Sequence, residues 1–293
     1  MDYRSGFVAV IGRPNVGKST MLNQLLGQKV TIVSDKPQTT RNQIRCVLSE
    51  ERGQIIFIDT PGLHKPLHKL GEYMVKVAKD ALEEVDIILW IVDGTTAPGP
   101  GDRYIAAEIK DVATPQFLVI NKADQIDDVQ TRVDQYRPLG DFTHIAVVSA
   151  LENTGLEALV DELFKYLPPG PQYYPEDWVS DHPEQFVVAE LIREKALELT
   201  FEEVPHAVAV EIEEMARRED RDLVDIRATI YVERDSQKGI VIGKGGQMLR
   251  EIGSRAREDV EKLLGSQVNL QLWVKVKRDW RDREGTLNQF GYS

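Results

Sequence analysis

The chain carries Gly12-Arg13-Pro14-Asn15-Val16-Gly17-Lys18-Ser19, which reads G-x-x-x-x-G-K-S, directly after the apolar run Phe7–Ile11. The apolar run suits a buried parallel strand, and the residues that follow, Thr20–Leu26, have a helical pattern. In this strand–loop–helix setting, backbone N–H groups and the helix N-terminus face a bound anion. Lys18 would reach the β- and γ-phosphates of a nucleotide, and the Ser19 hydroxyl would ligate Mg²⁺. The stretch therefore predicts a nucleotide site, the alternative being a glycine-rich turn without a ligand.

The composition predicts a soluble protein with about two domains. The chain has 293 residues, a net charge of −12 and a single cysteine, Cys46. One cysteine excludes an internal disulfide and fits a reducing cytoplasm. No apolar run approaches the ~18 residues of a membrane span, and the first residues lack the regions of a signal peptide. Residues 236–283 hold 11 Lys and Arg against 6 Asp and Glu, which favours a local polyanion site in an acidic chain.

Two further stretches are typical of a nucleotide-dependent switch. The polar segment Val33–Arg41 has the composition of an exposed loop. Thr40 is the predicted residue that completes the Mg²⁺ shell when the γ-phosphate is present, with Thr39 or a plain surface loop as alternatives. Asp59-Thr60-Pro61-Gly62 follows an apolar strand. Its aspartate would hold Mg²⁺ through water, and its glycine N–H would bind the γ-phosphate.

The next stretches predict that the base is guanine. Asn121-Lys122-Ala123-Asp124 ends the apolar strand 116–120. The Asp124 carboxylate matches the N1–H and exocyclic amine of guanine, and the mismatch with adenine can cost ~10⁴-fold or more in selectivity. Lys122 would pack over the base, and the backbone of Ser149-Ala150-Leu151 would meet the guanine oxygen.

These motifs, each at the end of a strand, resemble those of GTPase domains. The resemblance implies GTP, Mg²⁺ and a doubly wound, mostly parallel sheet with its sites at the carboxyl ends of the strands. Leu63 stands where Ras-like GTPases carry the glutamine that orients the attacking water, so the chain resembles the GTPases with a hydrophobic residue there. In that group an asparagine at the position of Asn15 often accompanies a K⁺ ion, which makes K⁺ a candidate second cation.

A proline-rich stretch, Pro168-Pro169-Gly170-Pro171, predicts a domain boundary. Consecutive prolines end a helix and stiffen the segment that follows. We expect a first domain over 1–168, a linker over 169–183 and a second domain over 184–293. The second domain has the predicted order α-β-β-α-β, with a helix over 184–199 and strands over 207–212, 223–232 and 268–276.

The second domain carries Gly243-Lys244-Gly245-Gly246, a G-x-x-G loop between an apolar run and a helix. Its glycines let a nucleic-acid backbone approach, and Lys244 would neutralise a phosphate. With the element order and the local basic charge, the loop resembles the clamp of a type II KH domain, which holds about four nucleotides of single-stranded RNA. A phosphate-binding or merely flexible glycine turn is the alternative. Trp273 and Trp280 could stack on bases, although core packing is favoured for Trp273.

The motifs together resemble the Era family over essentially the whole chain. They include G-R-P-N-V-G-K-S, Q-T-T-R, D-T-P-G-L-H, N-K-A-D, S-A-L, V-I-G-K-G-G and W-V-K-V-K-x-D-W-R. The resemblance implies an α/β P-loop GTPase domain followed by an α+β type II KH domain. It also implies a GTP-hydrolysing factor that binds the 3′ end of 16S rRNA and acts in assembly of the 30S ribosomal subunit. We expect the protein to be a monomer. Such a factor is expected in the cytoplasm and at the inner face of the cell membrane.

The predicted site residues follow from the motifs and this resemblance. The residues predicted to bind GTP are Gly12, Arg13, Pro14, Asn15, Val16, Gly17, Lys18, Ser19, Thr20, Asp59, Thr60, Pro61, Gly62, Asn121, Lys122, Asp124, Ser149, Ala150 and Leu151. Catalytic roles are predicted for Lys18, Thr40 and Gly62, and metal ligation for Ser19, Thr40 and Asp59. The residues predicted to bind RNA are Ile242, Gly243, Lys244, Gly245, Gly246, Arg250, Lys275 and Lys277.

Two other classes of protein stay open on the sequence alone. One is a membrane-associated signalling GTPase whose KH domain is only a docking module. No amphipathic basic helix stands out to anchor it, and sedimentation with lipid would separate it from an RNA-binding factor. The other is an RNA-binding protein whose nucleotide site is a structural relic, which a turnover assay would test.

Overall fold

A six-stranded sheet organises the first unit of the computed structural model, which describes residues 3–36, 38–63 and 68–292. Its strands are β1 (Arg4–Ile11), β2 (Ile44–Glu50), β3 (Gly53–Asp59), β4 (Ile87–Asp93), β5 (Gln116–Asn121) and β6 (His144–Val147), in the order β2-β3-β1-β4-β5-β6. All neighbours pair in parallel except β2, which is antiparallel to β3. The predicted doubly wound, mostly parallel sheet is therefore confirmed.

The helices of this half of the chain alternate with the strands. They are α1 (Lys18–Leu26), α2 (Lys69–Asp80), α3 (Pro100–Ile109), α4 (Val129–Tyr136) and α5 (Leu156–Tyr166). Every residue of β3 and β5 is buried, as expected for parallel strands covered on both faces. Strand β1 lies between β3 and β4, so the strand order reverses beside it. Ligands of such sheets bind at this reversal, outside the carboxyl ends of the strands.

A three-stranded sheet and its helices form the second unit. The strands are β7 (Ala209–Arg217), β8 (Leu223–Val232) and β9 (Gln267–Val276), and the helices are α6 (Glu184–Leu199), α7 (Val204–Ala207), α8 (Asp235–Ile242), α9 (Gln247–Leu264) and α10 (Glu284–Gln289). Strand β7 is antiparallel to β8, and β8 is parallel to β9. This arrangement confirms the predicted α+β domain. Strand β7 begins later than predicted because Pro205, near the start of α7, favours a helical turn there.

The two units are not two consecutive pieces of chain. In the part of the chain that the structure describes, the first unit comprises 3–31, 40–63 and 74–181, and the second comprises 32–36, 38–39, 68–73 and 182–292. The predicted boundaries at 168 and 183 stay a prediction. His64 of the D-T-P-G-L-H motif lies outside the described residues. No helix among the described residues is long and apolar enough to cross a membrane.

The predicted linker is anchored within the first unit. The Gln54 side chain accepts hydrogen bonds from the backbone N–H groups of Tyr173 (2.9 Å) and Tyr174 (3.0 Å) and donates one to the Tyr174 carbonyl (3.0 Å). Farther along, the Val47 N–H of β2 donates to the Val179 carbonyl at 3.0 Å. The segment thus satisfies hydrogen-bonding groups at the edge of the sheet.

Candidate functional site

The G-x-x-x-x-G-K-S loop joins β1 to α1 in a conformation that its residues dictate. Gly12 and Gly17 have φ values of 155° and 99°, and Asn15 has a φ of 64°. A Cβ atom at Gly12 would lie 2.4 Å from the Ile91 carbonyl oxygen, and one at Gly17 would lie 2.2 Å from Nδ2 of Asn121. Glycine is therefore required at both positions, and asparagine is among the few residues that tolerate a positive φ.

Lys18 begins α1 and turns its side chain back into this loop. Its Nζ donates to the carbonyls of Gly12 (3.3 Å) and Arg13 (3.0 Å). Burial lowers the pKa of Lys18 to about 8, and the nearby charge of Asp59 acts in the opposite direction. A buried ammonium in a loop of this shape is suited to an anionic partner such as phosphate.

The oxygen atoms predicted to hold Mg²⁺ lie together. Ser19 Oγ is 3.2 Å from Thr40 Oγ1 and donates to Asp59 Oδ2 at 3.2 Å. Burial raises the pKa of Asp59 to about 6, although Lys18 and the hydrogen bond from Ser19 lower it. Asp59 Oδ1 is buried and has no hydrogen-bond partner among the residues that the structure describes. This all-oxygen donor set, with a spare carboxylate oxygen, fits Mg²⁺, and the cation would offset the cost of burying the carboxylate.

The structure separates the two candidate threonines of the loop 33–41. The Thr39 hydroxyl donates to the Lys36 carbonyl at 2.6 Å. Thr40, in contrast, is buried and places its hydroxyl next to Ser19. Thr40 is thus the threonine of this loop whose side chain joins the oxygen cluster.

The D-T-P-G segment packs directly on the phosphate-binding loop. A Cβ atom at Gly62 would lie 2.7 Å from the backbone nitrogen of Pro14, so no larger residue fits without a shift. The Leu63 N–H donates to the Gly12 carbonyl at 3.3 Å, and the Leu63 side chain is buried in the core of the first unit. A buried aliphatic side chain cannot orient a water molecule, as expected from the sequence.

Asn121 ties the phosphate-binding loop to the loop after β6. Its Nδ2 donates to the Val16 carbonyl at 2.9 Å, and its Oδ1 accepts the Ala150 N–H at 2.9 Å. Both side-chain polar atoms are therefore used within the protein. The asparagine holds these two loops together, so its side chain has no polar atom left over for the predicted contact with GTP.

Lys122 and Asp124 present charged groups next to these loops. Lys122 has a φ of 64°, and its Nζ donates to Asp93 Oδ2 at 2.6 Å. The Asp124 carboxylate accepts the Ser149 hydroxyl at 2.5 Å, and this bond is the main reason that the pKa of Asp124 is lowered. An ionised carboxylate held in this way is the acceptor that the guanine N1–H and amine require.

Two predicted GTP contacts have side chains that point elsewhere. Arg13 Nε donates to Asp102 of α3 at 2.8 Å, and Asp102 is fully buried. The Arg13 side chain therefore anchors the loop to α3, and it is the Arg13 carbonyl that meets Lys18. The Leu151 side chain is exposed, so only its backbone is suited to meet the base.

The G-x-x-G loop of the second unit lies between α8 and α9. Gly243, Gly245 and Gly246 have φ values of 71°, 59° and 78°. A Cβ atom at Gly243 would lie 2.7 Å from that of Met248, whereas Cβ atoms at Gly245 and Gly246 would meet nothing within 4 Å. The loop is therefore open at its last two glycines, where a backbone from another molecule can approach. Lys244 is exposed beside them.

A groove of about 480 Å³ continues from this loop between α9 and β9. Its lining residues are Gly246, Leu249, Arg250, Gly253, Ser254, Arg257, Val268, Asn269, Leu270 and Leu272. The residues from α9 recur at helical spacing, so they share one face of the helix. The basic, glycine-containing wall and the apolar strand wall suit a nucleic-acid strand with unstacked bases.

The structure brings only some of the predicted RNA contacts to this groove. Gly246 and Arg250 line it, and Ile242 packs against the core of the second unit. Lys275 pairs with Glu213 at 2.9 Å and is not part of the lining. Lys277 is also outside the lining; its ammonium lies 5.1 Å from the centre of the Phe290 ring. Gly253, Ser254 and Asn269 also line the groove and were not among the predicted residues, although the helical spacing from Gly246 indicates the first of them.

The two tryptophans lie in opposite environments. Trp280 is fully buried, and its Nε1 donates to the Ala207 carbonyl at 2.8 Å, so it is not available to stack on a base. Trp273 is 43% exposed, and the prediction that it packs in the core was wrong. Side chains alternate along a strand, and Leu272 faces the groove, so Trp273 lies on the other face of the sheet.

These features define a P-loop GTPase domain joined to a KH domain. Residues 7–122 match the family described as 50S ribosome-binding GTPase, and residues 203–281 match the family described as KH domain. An Era variant from Aquifex aeolicus bound to GDP·AlF4⁻ is 44% identical over 99% of both chains, with a TM-score of 0.95. Era in complex with MgGDPNP and nucleotides 1506–1542 of 16S ribosomal RNA is 43% identical over 99% of both chains, with a TM-score of 0.94. The chain belongs to the Era family.

Proposed function

We propose that this protein is a GTP-hydrolysing switch that binds the 3′ end of 16S rRNA through its KH domain and acts in assembly of the 30S ribosomal subunit. The observation that carries the proposal is the convergence of Ser19, Thr40 and Asp59 beside Lys18. The open G-x-x-G loop and its groove support the RNA-binding half. The solved complex of a relative with 16S rRNA nucleotides supports the choice of RNA.

Each residue of the nucleotide site has a separate role. Lys18 and the loop N–H groups neutralise the β- and γ-phosphates, and the Gly62 N–H binds the γ-phosphate. Ser19, Thr40 and Asp59 would hold Mg²⁺, which neutralises charge that develops on the phosphate oxygens. Asp124 selects guanine. Loss of the γ-phosphate removes partners of Thr40 and Gly62, which releases their loops.

Helix α6 supports coupling between this switch and RNA binding. Within the second unit, Glu194 of α6 accepts the Val33 N–H at 2.8 Å. Lys195, the next residue, pairs with Glu194 at 2.9 Å and with Asp259 of α9 at 3.0 Å. The segment before Thr40 and the helix after the G-x-x-G loop are therefore attached to the same helix.

The direct test is binding of a labelled oligonucleotide with the sequence of the 16S rRNA 3′ end. We expect the protein to bind it about tenfold more tightly with a non-hydrolysable GTP analogue than with GDP, a coupling of ordinary size. The oligonucleotide should then tighten analogue binding relative to GDP binding by the same factor, because the linkage is reciprocal. The complementary sequence at the same salt concentration is the control. Equal binding with the analogue, with GDP and without nucleotide would leave two sites with no link between them.

We also propose that K⁺ takes part in hydrolysis, because Leu63 cannot orient water and Asn15 sits in the phosphate-binding loop. We expect kcat to be several-fold higher in K⁺ than in Na⁺ at equal ionic strength. Asn15→Gly should abolish the difference, since glycine keeps the positive φ of this position but removes the amide. Equal rates in the two salts for the native protein would exclude K⁺.

Association with the inner face of the cell membrane, which the family resemblance implies, stays a prediction, and so does the monomeric state. So does the division of the chain at residues 168 and 183.

A further inference from the structure

The segment that leads into Thr40 belongs to the second unit in its described residues, 32–36 and 38–39. Ile32, at its start, is 2% exposed and lies in the hydrophobic core of that unit. Thr40 belongs to the first unit, where its hydroxyl meets Ser19. The peptide bond between Thr39 and Thr40 is therefore one of the points at which the chain passes from one unit to the other.

Arg193 of α6 holds the last residue of this segment. Its Nη2 donates to the Thr39 carbonyl, while its Nε donates to Glu190 Oε1 at 2.7 Å and its Nη2 to Glu190 Oε2 at 2.5 Å. Glu194, on the same helix, accepts the Val33 N–H at 2.8 Å. Helix α6 thus fixes the segment at both ends, by a carboxylate at Val33 and by a guanidinium at Thr39.

Arg193 is buried at a cost in desolvation, although the neighbouring charges of Glu190 and Glu194 offset that cost enough to raise the pKa of the guanidinium. Its side chain is 1% exposed, and its Nη1 is buried without a hydrogen-bond partner in the part of the chain that the structure describes. Burying an ion pair costs desolvation that its attraction often fails to repay, and an unsatisfied charged donor adds to that cost. Besides pairing with Glu190, the guanidinium fixes the position of the Thr39 carbonyl.

We propose that Arg193 is a positioning residue for GTP hydrolysis. By holding the Thr39 carbonyl, it restrains the peptide bond that leads into Thr40, and through that bond the backbone of Thr40. The inference rests on the proposed function, because it needs a protein that hydrolyses GTP. Thr40 is expected to take part only when the γ-phosphate is present. Arg193 should therefore matter for GTP and not for GDP.

Two substitutions test this role with equilibrium binding, kinetics and amide hydrogen exchange. Arg193→Ala removes the bond to Thr39 but leaves Glu190 buried and unpaired. Arg193→Lys keeps the charge beside Glu190, yet its compact ammonium lacks the planar fork that reaches both acceptors. We expect both variants to bind a GTP analogue about tenfold more weakly, the low end for a hydrogen bond to a charged group, and GDP within twofold of the native protein. Exchange of the amides of 38–41 should accelerate in both, and kcat should fall with them.

Arg281→Ala is the matched control. Arg281 also belongs to the second unit, and its guanidinium Nε donates to the largely buried Glu233 at 3.0 Å. Loss of the Arg281 side chain should lower the free energy of unfolding about as much as the Arg193 substitutions do. It should leave analogue affinity, kcat and the amide exchange of 38–41 unchanged. If Arg193→Lys binds the analogue as tightly as the native protein, or if Arg281→Ala weakens it equally, Arg193 has no positioning role. If the native protein did not hydrolyse GTP, the proposed function would be wrong. That outcome is measured on the native protein and is independent of the variants.

Discussion

Lys18→Ala should weaken GTP binding by about a hundredfold or more and leave binding of the rRNA oligonucleotide to the nucleotide-free protein within twofold. The Lys18 ammonium is buried in the phosphate-binding loop, where its pKa is already lowered to about 8. Its removal would leave phosphate charge without its main counter-charge in a site with little water. Hydrogen bonds between charged groups are worth about 1.5–3 kcal/mol each, and the lysine serves more than one phosphate oxygen.

The measurement is titration with a fluorescent GTP analogue and with GDP, beside titration of the oligonucleotide without nucleotide. Lys110→Ala is the control, because Lys110 is exposed at the end of α3 and its loss makes the same change in net charge. Lys18→Ala should bind both nucleotides more weakly, since both carry the β-phosphate. A loss below fivefold would mean that the backbone of the loop alone binds the phosphates. A parallel loss of RNA binding would mean that the two sites are not separable.

Much of the geometry of the candidate nucleotide site follows from the sequence, because local chemistry determines it. Gly12 and Gly17 stand where a Cβ atom collides with Ile91 or Asn121. Asp59 and Asp124 follow apolar strands, and a parallel sheet brings the ends of such strands to one edge. The sequence left Thr39 and Thr40 as alternatives. The choice depends on which hydroxyl faces Ser19, a contact across 21 positions of the chain.

The lining of the groove beside the G-x-x-G loop follows less completely from the sequence, for a physical reason. Period-two alternation shows that Trp273 and Lys275 share a face of β9, but it does not show which face the helices cover. The helices cover the face of Leu270 and Leu272, and Lys275 pairs with Glu213 instead of joining the groove. The membership of 32–36 and 38–39 in the second unit cannot be read from the sequence either, because it depends on packing against α6, about 160 positions farther along the chain.

Replacing both Gly245 and Gly246 by aspartate should lower the affinity for the rRNA oligonucleotide by about a hundredfold and leave GTP binding within twofold. A side chain at either position would stand in open space, on the side from which a nucleic-acid backbone approaches. Two carboxylates there would face phosphates that Lys244 and Arg250 would otherwise neutralise. Both glycines have positive φ values, so each substitution also carries a backbone cost of about 1–2 kcal/mol.

Gly265→Asp separates these two effects. Gly265 ends α9 with a φ of 62° and has open space around its Cβ position. An aspartate there adds the backbone strain and the charge of one loop substitution, but at the other end of the helix. This control should lose stability comparable to that of one loop substitution and keep its RNA affinity within about threefold. The deficit of the double variant should shrink as salt is raised, because repulsion between exposed charges is screened. If Gly265→Asp lost as much RNA affinity as the double variant, strain in the second unit would account for the result, and the G-x-x-G loop would not be the phosphate contact.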